Sequence, residues 1–478
     1  MSHSQKTLVV YGDGLAGLIA ATALAGRLSA AYRIVLIADQ RSVESDFLYG
    51  GVTSPTGYDF YRGLGLDEPT LFLKSATAFS FGTYYRQWPA AEGDWVQSHH
   101  QPLPVIAGVP LHHHLSRHKR SMAPLLVSTQ AAAQGKFAHP PEDPSVPLSR
   151  AEYGYQFSAD EWRRMLATLL RRSRVEICED AVEKIDVCDG EISGLTLVGG
   201  ARLQADLYVD ASGPSRRLMA ALGVPYQGVR SVKARFRRQA VEGLGPACRL
   251  VTGSENGYVS QTHLQGAIES ISIAESDSTP AGIGALNCQI GRLETAWSGN
   301  CLAIGHAASV LDPVTPAPMM LLQRDIERLL DLIPIGPDHA PERREFNRRF
   351  ENDATHTGMF GDALYQTKAD LDSDYWRQAK RAGDTAGLRR KIAQFEHRGV
   401  LVRFDLEPFN DEDWLILHHG MGRRPIRYDL QVKRAPKADV VSELDSMTRA
   451  IEQMVSRLPP HDLYVSNMKR YLEKQKNV

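Results

Sequence analysis

Six residues near the amino end, Gly12-Asp13-Gly14-Leu15-Ala16-Gly17, have the spacing G-x-G-x-x-G, and the chemistry of that spacing is the binding of a pyrophosphate. Gly12 permits a tight turn, Gly14 lets the main chain approach the phosphates, and Gly17 lets a helix pack on the preceding strand. The phosphates then meet the positive end of the helix dipole, at Leu15 and Ala16. An acidic residue at the end of the next strand is expected to hold a ribose hydroxyl. Asp39, followed by Gln40, lies at a suitable distance, with Ala38 the competing register. The turn by itself does not separate FAD from NAD.

Histidine is the usual proton carrier near neutral pH, which singles out His263 and His306. His99, His100, His112, His113, His114 and His118 form a cluster that suggests metal, but no ligand spacing on a helix or strand supports one. A packed or solvent-facing cluster is the expectation, and no metal. The five cysteines are scattered without a CxxC pair, which excludes a zinc ribbon or disulfide framework and leaves reduced, packed thiols.

The elements that must position these residues follow from periodicity. A β-rich run at 7–11, the glycine turn, an alanine-rich helix at 18–28 and a second strand at 33–37 form a βαβ unit. Residues 89–149 are rich in Pro, His, Gly and Ala and read as long loops, a candidate cover for an active site. A helix is expected at 158–173, with Ser158 and Asp160 offering an N-cap and Trp162, Met165, Leu166, Leu169 and Leu170 on one apolar face. Strands follow at 175–178, 192–198, 206–210 and 301–304, and helices at 319–332, 341–350, 374–381 and 441–458. Arg324, Arg328, Arg348 and Arg349 read as helix-surface charges, Lys74 as a solvated one, and Trp88 and Trp297 as packing residues.

With 478 residues the chain can bury a large core, and 55 basic against 56 acidic residues leave no field to draw it to nucleic acid or anionic lipid. A short polar lead runs directly into the first strand, and no run approaches ~18 apolar residues. A cytoplasmic protein with a small-molecule or protein partner is expected.

Trp297-Ser298-Gly299-Asn300-Cys301-Leu302-Ala303-Ile304-Gly305-His306-Ala307-Ala308-Ser309-Val310-Leu311-Asp312-Pro313 resembles the second flavin segment of the flavin-dependent tryptophan halogenase family, W-x-G-N-C-V-A-I-G-L-A-A-G-F-x-E-P. The likeness continues through Gln323 to Leu330, and it is found upstream at Tyr155-Gln156-Phe157 and at Asp206 to Gly213. Downstream, Arg344 to Arg349 and Asp374-Tyr375-Trp376 are similar to the family's helical region. The resemblance implies an α/β protein with a Rossmann-type FAD-binding, glutathione-reductase-like fold, an inserted substrate-binding region and a helical carboxyl-terminal region. The implied divisions are a first FAD-binding segment at 1–88, a loop-rich active-site cover at 89–150, a second FAD-binding segment at 151–230, a substrate-region sheet at 231–295, the second flavin segment and its helix at 296–335, and a mostly helical substrate side at 336–478.

In that family reduced flavin and O2 give a C4a-hydroperoxide, halide attacks it, and a lysine relays the oxidised halogen to an aromatic substrate. This chain departs at each of those chemical positions. The family's A-T-F-K-x-G aligns with Thr77-Ala78-Phe79-Ser80-Phe81-Gly82, so Ser80 stands where the relay lysine belongs. E-P-L-E-S-T-G becomes Asp312-Pro313-Val314-Thr315-Pro316-Ala317-Pro318: Thr315 replaces the carboxylate, and Pro318 removes a backbone donor from the halide position. W-x-W-x-I-P corresponds to Tyr258-Val259-Ser260-Gln261-Thr262-His263, and G-E-x-T-x-P to Gly50-Gly51-Val52-Thr53-Ser54-Pro55.

The reading that follows is an FAD-dependent monooxygenase acting on a small-molecule or peptide-borne aromatic through the hydroperoxide without halide, with FADH2 from a separate flavin reductase. A halogenase with a rearranged relay, an oxidase or dehydrogenase, and a non-catalytic flavin-binding protein stay open, as does a homodimer. The expected catalytic residues are Ser80, Thr315 and His306. The expected cofactor-binding residues are Gly12, Gly14, Leu15, Ala16, Gly17, Asp39, Gln40, Val182, Asp210, Gly305, His306, Asp312, Pro318 and Met319.

Overall fold

The computed structural model describes residues 5–91, 93–275, 285–334, 339–368 and 371–476. β1 (Lys6–Tyr11), α1 (Leu15–Arg27) and β2 (Tyr32–Ile37) form the expected βαβ unit, with β1 and β2 parallel in register from Lys6 opposite Tyr32 to Tyr11 opposite Ile37. The last four residues of both strands are buried, as a parallel sheet covered on both faces requires. The sheet has six strands in the order 297–298, 301–303, 207–210, β1, β2 and 176–178.

A second, mainly antiparallel sheet of eight strands runs in the order 309–310, 285–293, 226–240, 267–275, 257–264, 249–254, 82–86 and 95–98. Its one parallel pairing sets Arg249 opposite Thr83, which fixes the position of a buried cation described below. The carboxyl-terminal third is helical, with the longest helices at Ala340–Asp362 and Lys437–Arg457. Among the described residues no helix is long and apolar enough to cross a membrane.

Residues 89–149 are only partly loop: between irregular stretches they hold a strand at Trp95–Ser98 and helices at Leu111–His118 and Val127–Ala133. The first of these helices carries no apolar signal because its buried face is made of Leu111, His112, His114 and Leu115, where imidazoles stand in for apolar residues. His112 Nε2 bonds Gly399 O and His114 Nε2 bonds Ile106 O, so both rings tie the helix to main chain. The helix Ala159–Leu170 forms, but Ser158 makes no cap; its hydroxyl accepts from Arg238 instead.

Arg324 and Arg328 are not surface charges. Both bond Asp353, and Arg328, 2% exposed, also bonds Asp325, so a buried ion cluster pins helix Ala340–Asp362 to helix Ala317–Asp331. Arg348 and Arg349 do lie outside, paired with Glu345. Lys74 is exposed. Trp88 and Trp297 are buried, and Trp88 packs against Tyr85, Tyr258, Tyr365 and Trp376.

Candidate active site

The turn after β1 depends on glycine at the main-chain level. Gly12 has a φ of +114°, and a Cβ on Gly17 would lie 1.8 Å from Gly12 O, so the helix rests directly on the strand. The first amides of α1 are not left to solvent. Gly14 N donates to Ser42 Oγ at 2.8 Å, and Leu15 N donates to both oxygens of Asp46 at 3.0 Å. A carboxyl group of the chain itself therefore lies where a phosphate would meet the helix. Burial pushes Asp46 up to about 8, against the Leu15 amide and Arg163.

Asp39 sits just past β2, but its carboxylate is already engaged, accepting from Tyr11 Oη at 2.7 Å and from Arg41. Arg217 donates to Tyr11 Oη at 2.5 Å and reaches the Val182 carbonyl at 3.5 Å. Tyr11, Asp39, Val182 and Arg217 thus gather at one end of the groove; the sequence singles out Asp39 and Val182, and gives no signal for the other two. Gln40 opens the 3-10 helix Gln40–Tyr49.

At the other end Gly305, with a φ of +55°, donates to Asp325 Oδ2 at 2.9 Å. His306 N donates to Tyr49 Oη at 3.3 Å, and the two rings stack with centroids 3.9 Å apart. His306 is 2% exposed, neither ring nitrogen has a partner, and burial pushes it down to about 3, so it is neutral.

Two expected cofactor residues have carboxylates engaged within the protein. The Asp210 carboxylate accepts from Ser212 N, Ser212 Oγ, Leu218 N and Met219 N, capping the short helix Arg217–Ala221. Asp312 is likewise satisfied inside the protein, by Arg230, Tyr258 Oη, Tyr365 Oη and Val314 N. Pro318 and Met319 lie buried in the first turn of Ala317–Asp331.

The expected catalytic residues are each engaged separately. Ser80 Oγ, on the buried strand Ala78–Ser80, donates to Gly82 O at 3.0 Å; Thr315 Oγ1 accepts from Ala317 N at 3.2 Å, capping the next helix; His306 stacks on Tyr49. His263 packs against Gly245 near His461, and its main-chain N donates to Gln156 Oε1, whose Nε2 donates to Phe79 O beside Ser80.

The cation of this region is one that spacing could not reveal. Arg249, 0% exposed, donates to Pro313 O at 2.8 Å, Val314 O at 2.6 Å and Gly50 O at 3.4 Å. It joins the Gly50-Gly51 loop to the Pro313-Val314 loop, and Tyr85 Oη adds a bond to Val314 O at 2.8 Å. The glycine at 51 has a steric cause: its φ is +63°, and a Cβ would lie 2.9 Å from Thr262 Oγ1 and 3.0 Å from Phe157 O. A glutamate does not fit there. Burial beside Arg249 pushes His99 down to about 4. Among the described residues no His, Cys, Asp and Glu cluster has the makings of a metal site.

Comparison with known proteins places this arrangement. Tryptophan 6-halogenase SttH of Streptomyces toxytricini is 25% identical over 272 residues, 51% of this chain and 52% of SttH, so the chain matches about half the length of that relative. Tryptophan 6-halogenase ThaL of Streptomyces albogriseolus is 22% identical over 444 residues, 83% of this chain and 82% of ThaL. BrvH, a flavin-dependent halogenase from Brevundimonas sp. BAL3, superposes with a TM-score of 0.87 at 23% identity, covering 98% of this chain and 99% of BrvH. The family model for tryptophan halogenase matches residues 7–233 and 250–437. The chain belongs to the tryptophan halogenase family, with its Rossmann-type, glutathione-reductase-like FAD-binding fold, an inserted sheet region and a helical carboxyl-terminal region.

Proposed function

We propose that this chain is an FAD-dependent monooxygenase that places one oxygen atom of O2 on an aromatic substrate without using halide. The observation that carries the reading is the lack of a usable amine, among the described residues, where the family relays halogen. Ser80 is buried with its hydroxyl on Gly82 O, and Arg249, whose strand pairs with the strand that follows Ser80, is committed to three carbonyl oxygens. A protonated guanidinium has no lone pair to accept an oxidised halogen. Thr315, capping Ala317, offers no carboxylate beside it.

The residues present suit FAD. Gly12, Gly14, Leu15, Ala16 and Gly17 would face the pyrophosphate, Asp39, Gln40, Val182 and Arg217 the adenosine end, and Gly305, His306, Pro318 and Met319 the flavin end; the amide of Leu15 already holds an acidic group. Bound and reduced by a separate flavin reductase, FAD supplies the activation of O2. The protein's role is to shape and dry the chamber. Arg249 fixes the separation of the Gly50-Gly51 and Pro313-Val314 loops, and the packed rings of Tyr85, Trp88, Tyr258, Tyr365 and Trp376 make the surroundings aromatic, which suits a small or peptide-borne aromatic. His99 and His306, held neutral by burial, put no competing charge beside the ring.

A second reading, a scaffold that keeps the fold without the chemistry, is favoured by one observation: Asp46 and Tyr49 hold the amides of Leu15 and His306. The test supplies a flavin reductase, NADH, FAD and air to the protein with a panel of indoles, phenols and tryptophan-containing peptides, with and without bromide. A product one oxygen heavier in halide-free buffer supports the monooxygenase. A product formed only with bromide moves the assignment to a halogenase with a rearranged relay, FAD uptake without any product leaves the non-catalytic flavin-binding scaffold, and no FAD uptake overturns the FAD reading.

A further inference from the structure

Strand Trp95–Ser98 and helix Asp411–Gly420 border a cavity of about 270 Å³, at the small end of ligand cavities, whose described lining shares no residue with the FAD groove or with the loops that Arg249 ties. Met122, Leu126 and Ile416 give it apolar walls. Of the two adjacent histidines on the helix, His418 has a packing role: its ring stacks on Phe395 with centroids 4.1 Å apart, and Arg423 reaches its Nδ1 at 3.4 Å. His419 lines the cavity instead, is 8% exposed, and neither of its ring nitrogens has a partner within the protein. Trp95 Nε1, on the same lining, is buried without a partner too, and a Cβ on Gly420 would lie 2.2 Å from it, so the indole rests on main chain next to His419. Buried polar groups are nearly always bonded, and two unbonded ones side by side in a cavity call for a ligand.

The nitrogens of these two rings set the chemistry of that ligand. Burial, with Arg424 and His112 nearby, pushes His419 down to about 3, so its neutral ring offers one N–H and one lone pair, while the Trp95 indole offers one N–H. Two donors and one acceptor match a planar group that carries a carbonyl oxygen and an N–H, which is a carboxamide. A charged ligand fits less well. Among the described lining residues the charged ones, Asp94 and Arg424, are opposite in sign and exposed, Asp94 pairs with Arg86 at 3.8 Å, and burying a ligand charge without a matched partner is costly. The Thr129 hydroxyl in the wall is already spent on Ser98 Oγ at 2.9 Å. Trp95 also stacks on Tyr85 with centroids 4.4 Å apart, and Tyr85 Oη holds Val314 O, so an occupant bears on the loop that Arg249 fixes.

We propose that this cavity is a binding site for a small uncharged carboxamide with an apolar body, its carbonyl oxygen accepting from Trp95 Nε1 and its N–H donating to His419. The apolar body lies on Met122, Leu126 and Ile416. Water satisfies the same nitrogens but gains nothing from those walls. The site stands apart from the FAD groove and does not rest on the reading of that groove.

The experiment titrates phenylacetamide, and phenylacetate as its charged counterpart, into the full chain as purified, with affinity read by calorimetry and saturation-transfer NMR. Wild type is expected to bind phenylacetamide with a Kd on the order of 1 mM or tighter, and at least about tenfold more tightly than phenylacetate. Trp95→Phe keeps a ring on Tyr85 and removes the N–H, and His419→Phe removes both ring nitrogens; each is expected to weaken the amide by about fivefold. Ala123→Trp fills the cavity and abolishes binding. Thermal melts establish which variants fold; should His419→Phe or Ala123→Trp not fold, Trp95→Phe and the wild-type preference for amide over acid still decide. Phenylacetate bound as tightly as phenylacetamide overturns the uncharged ligand. Amide affinity unchanged in any folded variant puts the probe elsewhere and overturns the site, and no binding of phenylacetamide up to about 10 mM leaves the cavity to water and overturns it as well.

Discussion

The nucleotide cradle and the chamber around Arg249 are built on opposite principles. In the cradle the chemistry belongs to the main chain: glycines that admit close contact and amides at a helix end. In the chamber it belongs to side chains, where Ser80 and Thr315 hold their hydroxyls on nearby main chain while Arg249 ties the loops together. A backbone-made site survives sequence drift and stays recognisable. A side-chain-made site changes its chemistry with a few substitutions on an unchanged scaffold.

The comparison is broken most directly at Arg249. Arg249→Met removes a buried guanidinium and leaves carbonyls of Gly50, Pro313 and Val314 unpaired, which costs about 3 to 5 kcal/mol. Urea denaturation reads the loss, and Arg249→Lys recovers only a fraction of it, because a single ammonium cannot span the same carbonyls. A midpoint unchanged in Arg249→Met would mean the chamber is held by something else. Next comes Gly17→Ala. Its Cβ would fall 1.8 Å from Gly12 O, so α1 must lift from β1, at a cost of about 1 to 3 kcal/mol and with FAD uptake lost even in folded protein. Retained FAD affinity in that variant would show that the cradle is not the dinucleotide site. A smaller effect belongs to Asp210→Ala, which uncaps the helix at Leu218 and Met219 and costs about 1 to 2 kcal/mol. Because that carboxylate faces the helix and not the groove, FAD affinity of the folded variant stays within about twofold of wild type.

How much is legible in the sequence follows the same division. The β1-α1-β2 unit, the parallel strands and the second glycine segment are readable because period and glycine spacing are local properties of the chain. Arg249 is not: its partners at 50, 313 and 314 become neighbours only when the strand 249–254 pairs with 82–86. Asp312 and Asp210 look like ligand-facing carboxylates from their place after a strand, yet the fold turns each onto internal donors. The helix Leu111–His118 is concealed because buried histidines bonded to carbonyls blur the apolar face that marks a helix. Asp46 and Tyr49 have no sequence signal at all, since nothing in their spacing says that a polar turn folds inward.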